Sequence, residues 1–155
     1  MQPEVTKVPA VRVVQFGTGQ QAQFRPVASA GSKLAGLDFR IYREVLGTNE
    51  YSLTQSGFRV PLPAIRETGR VSLAAANTPR IHYTVHFNPV LQLQLRPVAD
   101  AATGLVIGID YRLYRAERAT GVFMATRAGL VAPQDTMPEV AGAFLDIADE
   151  MGVAE

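Results

Sequence analysis

Two groups of residues have the types and spacing to do chemistry. Gly17-Thr18-Gly19-Gln20-Gln21-Ala22 follows the apolar run VRVVQF at 11–16 and fits G-x-G-x-x-A, a pattern that lets the backbone approach a pyrophosphate at the start of a helix. The helix it needs is missing. Pro26 falls about two turns in, where a proline removes a hydrogen bond and clashes with the turn before it. No alternating strands and helices follow to build a parallel sheet. These residues are expected to turn a hairpin, and no nucleotide or other cofactor is expected.

His82 and His86 are the only histidines. On a helix their spacing would serve one ion, but they sit in a run that alternates Ile81, Tyr83, Val85 and Phe87 with polar residues. On such a strand, at ~3.3 Å per residue, they stand about 13 Å apart, too far to share one ligand sphere. Solvent-facing histidines are expected, and no metal. The chain has no cysteine, hence no thiol nucleophile or thiolate site, and nothing in the sequence sets a serine beside a histidine. No catalytic residue is assigned and no enzyme is expected. In IDYRLYRAER, residues 109–118, Arg112, Tyr114 and Arg118 near the outer side of a strand are compatible with phosphate or nucleic-acid binding. The same mixture solubilises an exposed sheet, and no basic cluster elsewhere joins it, so no nucleic-acid partner is expected.

The totals agree with a binding or structural role. At 155 residues the chain is long enough for one domain with a real core and too short for two of ordinary size. With 47% hydrophobic and 19% charged residues it is neither a disordered chain nor a membrane bundle. Charge is nearly balanced but unevenly placed: no basic residue follows Arg127, while Asp135, Glu139, Asp146, Asp149, Glu150 and Glu155 do. That pattern reads as a solvated acidic helix face.

The elements that must position any site follow from periodicity. Residues 1–10 form a polar leader without the apolar segment of a signal peptide, and 11–155 form one domain. Val11, Val13, Val14 and Phe16 make a first strand, and AQFRPVA at 22–28 returns as a second, with Pro26 marking an edge. Ser29 to Ser32 lead into the long element expected to organise the chain. Leu34, Leu37, Ile41, Val45, Leu46 and Leu53 follow three-and-four spacing, which predicts an amphipathic helix weakened at Gly47, Thr48 and Asn49 and stopped by Gly57. Phe58 and Val60 then enter a strand that points back to the core. Residues 61–79 lose the pattern and are expected to be a surface excursion. Residues 81–88 and 91–96 alternate, with Asn88-Pro89 between them, and predict an antiparallel hairpin with Leu91, Leu93 and Leu95 inward and Gln92 and Gln94 outward. A third run puts Leu105, Ile107, Ile109, Tyr111 and Leu113 on one face. Its partner spans about 122–131, with Val122, Met124 and Leu130 buried. Thr136 and Glu139 form a capping box with Pro138 in the first turn, and Val140, Phe144, Ile147 and Met151 form a second helical stripe. The sum is an α+β fold: a two-layer sandwich with an antiparallel sheet of about five or six strands and two helices on one face.

The order of these elements resembles the bacterial envelope lipoproteins of the domain-of-unknown-function 4136 family. The resemblance runs through VRVVQF, LDFRIYREVL leading through a helix to SGFRV, RIHYTVHF, VIGIDYRLYRAERATGVFMATRAG and the final helix. Glu117, Thr120, Gly121 and Met124 stand where that family has an acidic residue, a Thr-Gly step and an aromatic residue. The resemblance implies a periplasmic protein held at the outer membrane by a lipid anchor absent from this chain, with no catalytic residues to carry over. The expected function is a non-enzymatic accessory or structural domain that binds another envelope protein through its sheet or an edge strand. The alternatives are a small-ligand or lipid carrier using the groove between helices and sheet, and a subunit of a phage or secretion assembly.

Overall fold

The computed structural model describes residues 9–17, 19–28, 33–48, 50–126 and 129–153. The leader 1–8, Thr18, Ser29 to Ser32, Asn49, Arg127 and Ala128 within the expected 122–131 strand, and Ala154 and Glu155 lie outside the described residues.

Strands β1 (Arg12–Gln15), β2 (Gln20–Ala28), β3 (Leu34–Val45) and β4 (Glu50–Pro61) form one antiparallel sheet in sequence order and lead into helix α1 (Ile65–Asn77). Strands β5 (Tyr83–Asn88), β6 (Leu91–Ala99), β7 (Val106–Ala116) and β8 (Phe123–Ala125) form a second. There β9 (Leu130–Pro133) also pairs with β7 before helix α2 (Met137–Glu150). The α+β class is as the sequence predicts, but the strands divide into two sheets instead of one.

The long helix expected from residue 34 is the β3–β4 hairpin. A spacing of four residues is one helical turn and also two strand repeats, so Leu37 and Ile41 satisfy both periods. Phe39 separates them. It lies on the same side as Leu37 and Ile41 only in a strand, and all three are buried. Gly47 (φ 80°) turns the hairpin with Thr48, whose N–H and hydroxyl both donate to the Val45 carbonyl oxygen, at 3.1 and 2.8 Å. Gly57 ends no helix; it lies within β4, where a Cβ would overlap the Phe39 carbonyl oxygen.

The first helix is found instead in the stretch expected to be an excursion. Its buried positions are Ile65, Thr68, Gly69, Val71, Ser72 and Ala75; only Ile65 and Val71 are large and apolar, so no apolar stripe announces them. The others are small because α2 lies close: a Cβ on Gly69 would come 2.8 Å from Leu145 Cδ2. In α2 the expected stripe is present, with Val140, Phe144, Ile147 and Met151 buried. The capping box is not. Thr136 holds an αR conformation after a 3-10 turn, and its hydroxyl donates back to the Pro133 carbonyl oxygen at 2.7 Å. A capping side chain needs the extended conformation that this approach denies it.

The two halves of the chain repeat one another. Gln23-Phe24-Arg25-Pro26-Val27-Ala28 matches Gln94-Leu95-Arg96-Pro97-Val98-Ala99, 71 residues on. Gly36-Leu37-Asp38-Phe39-Arg40-Ile41-Tyr42-Arg43 matches Gly108-Ile109-Asp110-Tyr111-Arg112-Leu113-Tyr114-Arg115, 72 residues on. β2 and β6 share one burial pattern, each has a bulge after its Pro-Val, and each pairs with the next strand in the same register. Pro26 and Pro97 lie beyond the last residues paired to β1 and β5, so each has the open edge a proline requires. Both halves pass into their helix through a proline, Pro61 or Pro133, and a 3-10 turn of three residues.

The halves clasp each other reciprocally, as in an isologous contact. α1 lies against β5, where the Tyr83 hydroxyl donates to the Ala74 and Thr78 carbonyl oxygens at 3.3 and 3.2 Å. α2 lies against β1, where Arg12 pairs with Glu150 and Asp146. Equivalent residues Phe39 and Tyr111 meet at the junction, ring centroids 5.4 Å apart. Phe39 packs on Phe144 of α2 at 5.6 Å, while the Tyr111 hydroxyl bonds Ser72 of α1 at 2.7 Å. Ser72 and Phe144 are themselves equivalent. One hydrophobic core therefore spans both halves.

Candidate functional site

The residues first considered for chemistry do not assemble. Gly17 (φ 94°) and Gly19 (φ 70°) turn the β1–β2 hairpin, closed by the Phe16 N–H donating to the Gln20 carbonyl oxygen at 2.8 Å. No helix begins there. His82 and His86 are both exposed, His82 before β5 and His86 within it. No group of three or more metal-ligating side chains occurs among the described residues. Arg112 pairs with Asp110 at 3.0 Å, Tyr114 lies under Arg96, and Arg118 is exposed in a turn. Glu117, Thr120 and Gly121 belong to that turn, in which the Gly121 N–H donates to the Glu117 carbonyl oxygen and the Val122 N–H to Thr120 Oγ1. Asp100, Thr103 and Gly104 repeat it between β6 and β7 with the same bonds. The acidic-x-x-Thr-Gly feature is thus a means of turning a hairpin.

The buried polar groups are structural too. Tyr111 is fully buried between Ser72 and Met137. Burial raises its phenol above the ordinary 10.0, against a smaller opposing effect of the Ser72 bond. The space between helices and sheets, which a carrier would need, holds Phe24, Phe39, Phe58, Phe144 and Tyr111 in mutual ring contact.

Two surface features remain. The first is the margin of the first sheet. β4 is twelve residues long and stands last in its sheet, paired to β3 alone. A cleft of about 310 Å³ flanks its later part, lined by Gly57, Phe58 and Arg59 with Asp38 and Arg40 of β3 and Leu91 and Leu113 of the other half. Asp38 accepts from Arg40 at 3.3 Å and Arg59 at 2.9 Å, and that bond, more than the charge alone, raises the Arg59 guanidinium above its ordinary value. At the hairpin tip Leu46 is 98% exposed beside the half-exposed Val45. A second cleft, about 280 Å³, joins Leu46 and Gly47 to Gly19, Arg43 and Glu44. Exposed apolar surface next to an unpaired strand edge is a template for another chain. Val122 and Met124, expected in the core, are also exposed because the β7–β8 hairpin runs past it, as are Leu105 and Ile107 at the start of β7.

The second feature is the outer face of each sheet. Outward residues Gln21, Gln23, Arg25, Asp38, Arg40 and Tyr42 recur unchanged as Gln92, Gln94, Arg96, Asp110, Arg112 and Tyr114. Inward residues Ala22, Phe24, Leu37, Phe39 and Ile41 are all replaced, by Leu93, Leu95, Ile109, Tyr111 and Leu113. Gln21, Asp38 and Gln92 are buried, so packing accounts for part of this identity, but Arg25 and Arg96 are exposed, where a cross-strand pair contributes only roughly 0.2–1 kcal/mol. The sequence carries this signal openly, as a repeat that periodicity within single elements overlooks.

No protein-family model matches the chain, and no curated protein matches its sequence.

Proposed function

We propose that the chain is a non-enzymatic accessory domain of the bacterial envelope, held in its native form at the outer membrane by a lipid anchor, that binds another envelope protein by strand addition on β4. The observation that carries the binding mode is the asymmetry of the two sheet margins. β4 is one long edge that starts beside the β3–β4 tip, where Val45 at the end of β3 and Leu46 in the turn are exposed, whereas the matching position in the second sheet is divided between the short strands β8 and β9. Main-chain hydrogen bonds along such an edge supply affinity, and the flanking clefts supply side-chain selectivity. The resemblance of VRVVQF, RIHYTVHF and the final helix to envelope lipoproteins supports the compartment, while the helix that the resemblance also expects through LDFRIYREVL is the β3–β4 hairpin; the scatter of the chemistry-bearing residues supports a binding role.

A photo-crosslinking residue placed at Ser52, exposed on β4, is expected to capture a partner in the source cells, and one at Arg70 on the exposed side of α1 is not. Equal capture from both positions would overturn strand addition. Fractionation with intact-mass measurement tests the compartment: membrane-bound protein carrying the mass of an acylated N-terminal cysteine is expected, and unmodified cytosolic protein would refute it.

A further inference from the structure

The outer faces hold a more specific device. Arg25 donates from Nε and Nη2 to Gln23 Oε1, at 3.1 and 2.8 Å, and lies over the Tyr42 ring at 6.0 Å. Arg96 does the same in the other half, with Gln94 Oε1 at 3.0 and 2.6 Å and the Tyr114 ring at 5.3 Å. Both arginines are exposed, and neither has a carboxylate within ion-pair distance among the described residues. Neighbouring arginines of these faces are already engaged, Arg40 and Arg59 by Asp38 and Arg112 by Asp110.

A guanidinium has five N–H donors in one plane. The amide oxygen takes the Nε and Nη2 donors, the ring lies below the guanidinium carbon, and no hydrogen bond among the described residues engages Nη1 of these exposed side chains. The Nη1–Nη2 end matches the two oxygens of a carboxylate in bidentate fashion. A side chain held by a hydrogen bond to one neighbour and a ring contact with another loses less freedom on binding than a free arginine, which is the advantage of preorganisation. All three members are identical in both halves, while the inward neighbours Phe24, Leu37, Phe39 and Ile41 are replaced and the prolines Pro26 and Pro97 are kept.

We propose that Gln23–Arg25–Tyr42 and Gln94–Arg96–Tyr114 are twin receptor sites for side-chain carboxylates of an acidic protein segment, so that each half of the chain takes up one such segment. The proposal rests on the reading of the chain as a protein-binding domain, but on a different surface from β4. Charge complementarity selects the occupant, because the open guanidinium at each site is the only group there without a counter-charge. A second copy of this chain fits poorly: it has two such basic faces and one strongly acidic helix, α2, whose Asp146, Asp149 and Glu150 already pair with Arg12 and Arg66.

The test is an NMR titration of the isotopically labelled full chain with a blocked octapeptide alternating Glu and Ser. Saturable shifts are expected at the Arg25 and Arg96 Nε–H and at the Tyr42 and Tyr114 rings, with two peptides bound per chain. R25Q and R96Q should each abolish one site, weakening it at least tenfold, and leave the other intact. R25K should not rescue, because lysine cannot present a planar fork. R118Q, in an exposed turn, should change neither site. Equal losses for R118Q and R25Q, or one peptide per chain, would overturn the proposal. So would tighter binding of an oligonucleotide or an anionic lipid vesicle through the same arginines. Crosslinking from Ser52 is read separately, so loss of these sites with capture retained would refute the twin receptors and leave the β4 reading standing.

Discussion

The two halves share a plan and differ in their fourth strand. In the first half β4 runs unbroken from Glu50 to Pro61, but its register slips between Phe39 and Ile41 and again between Ile41 and Tyr42. In the second half the strand breaks, and β8 and β9 are separate pieces. The bulged region of β4 and the gap between β8 and β9 occupy equivalent positions. At this point the chain must leave the ladder in both halves to turn toward its helix, and bulges or a break are two ways to bend it. The consequence is geometric: one half keeps a long edge, while the other divides its edge into short pieces.

The equivalent glycines in this region give the largest contrast. A Cβ at Gly57 would overlap the Phe39 carbonyl oxygen, which belongs to the backbone, whereas one at Gly129 would meet the Asp110 carboxylate, which can rotate away. Gly57→Ala is expected to cost about 3 kcal/mol, and Gly129→Ala clearly less. Urea denaturation of both variants measures the difference, and equal costs would mean that the two halves bend in the same way.

The junction pair sharpens the comparison. Tyr111→Phe leaves the buried Ser72 hydroxyl unpaired and should cost about 1–2 kcal/mol. Adding Ser72→Ala should recover most of that, because the second half then carries an apolar contact like Phe39 on Phe144. A double-mutant cycle tests it, and failure to recover would place the cost in packing. The pH dependence has a definite sign. The phenol's folded pKa lies above its unfolded value near 10.0, so the unfolded chain gives up the proton first. Stability is full below that pH and falls as pH rises beyond it. The part due to Tyr111 should be absent in Tyr111→Phe, as alkaline denaturation would show.

The smallest difference concerns the ion pairs. Asp38 has Arg40 and Arg59, but Asp110 has Arg112 alone, because the position of Arg59 is Val131, and Asp110 Oδ1 has no partner. Val131→Arg should supply the second guanidinium and stabilise by about 0.5 kcal/mol, within the range of exposed pairs. A shift in urea midpoint checks it, and a loss of stability would show that the valine packs usefully where it stands.

Strict alternation made the 83–96 hairpin and its Asn88-Pro89 turn legible from the residues alone, and a strong apolar stripe did the same for α2. The candidate sites were less legible. Arg25, Arg96, Tyr42 and Tyr114 have ordinary surface types, and only the alignment of one half on the other singles them out. The hairpin tip was hidden inside an expected helix, since Val45 and Leu46 extended a three-and-four pattern.

By itself the sequence determined the α+β class, the final helix, the central hairpin and the doubled motif that marks the halves. Tertiary structure alone decided that residues 34–45 and 50–61 are strands and that 65–77 are helix. In the first case one spacing satisfies two periods, and only the burial of Phe39 against Tyr111 chooses between them. In the second, a helix face of Thr68, Gly69 and Ser72 carries no hydrophobic signal, and its small size has meaning only once Phe144 and Leu145 of α2 are packed against it.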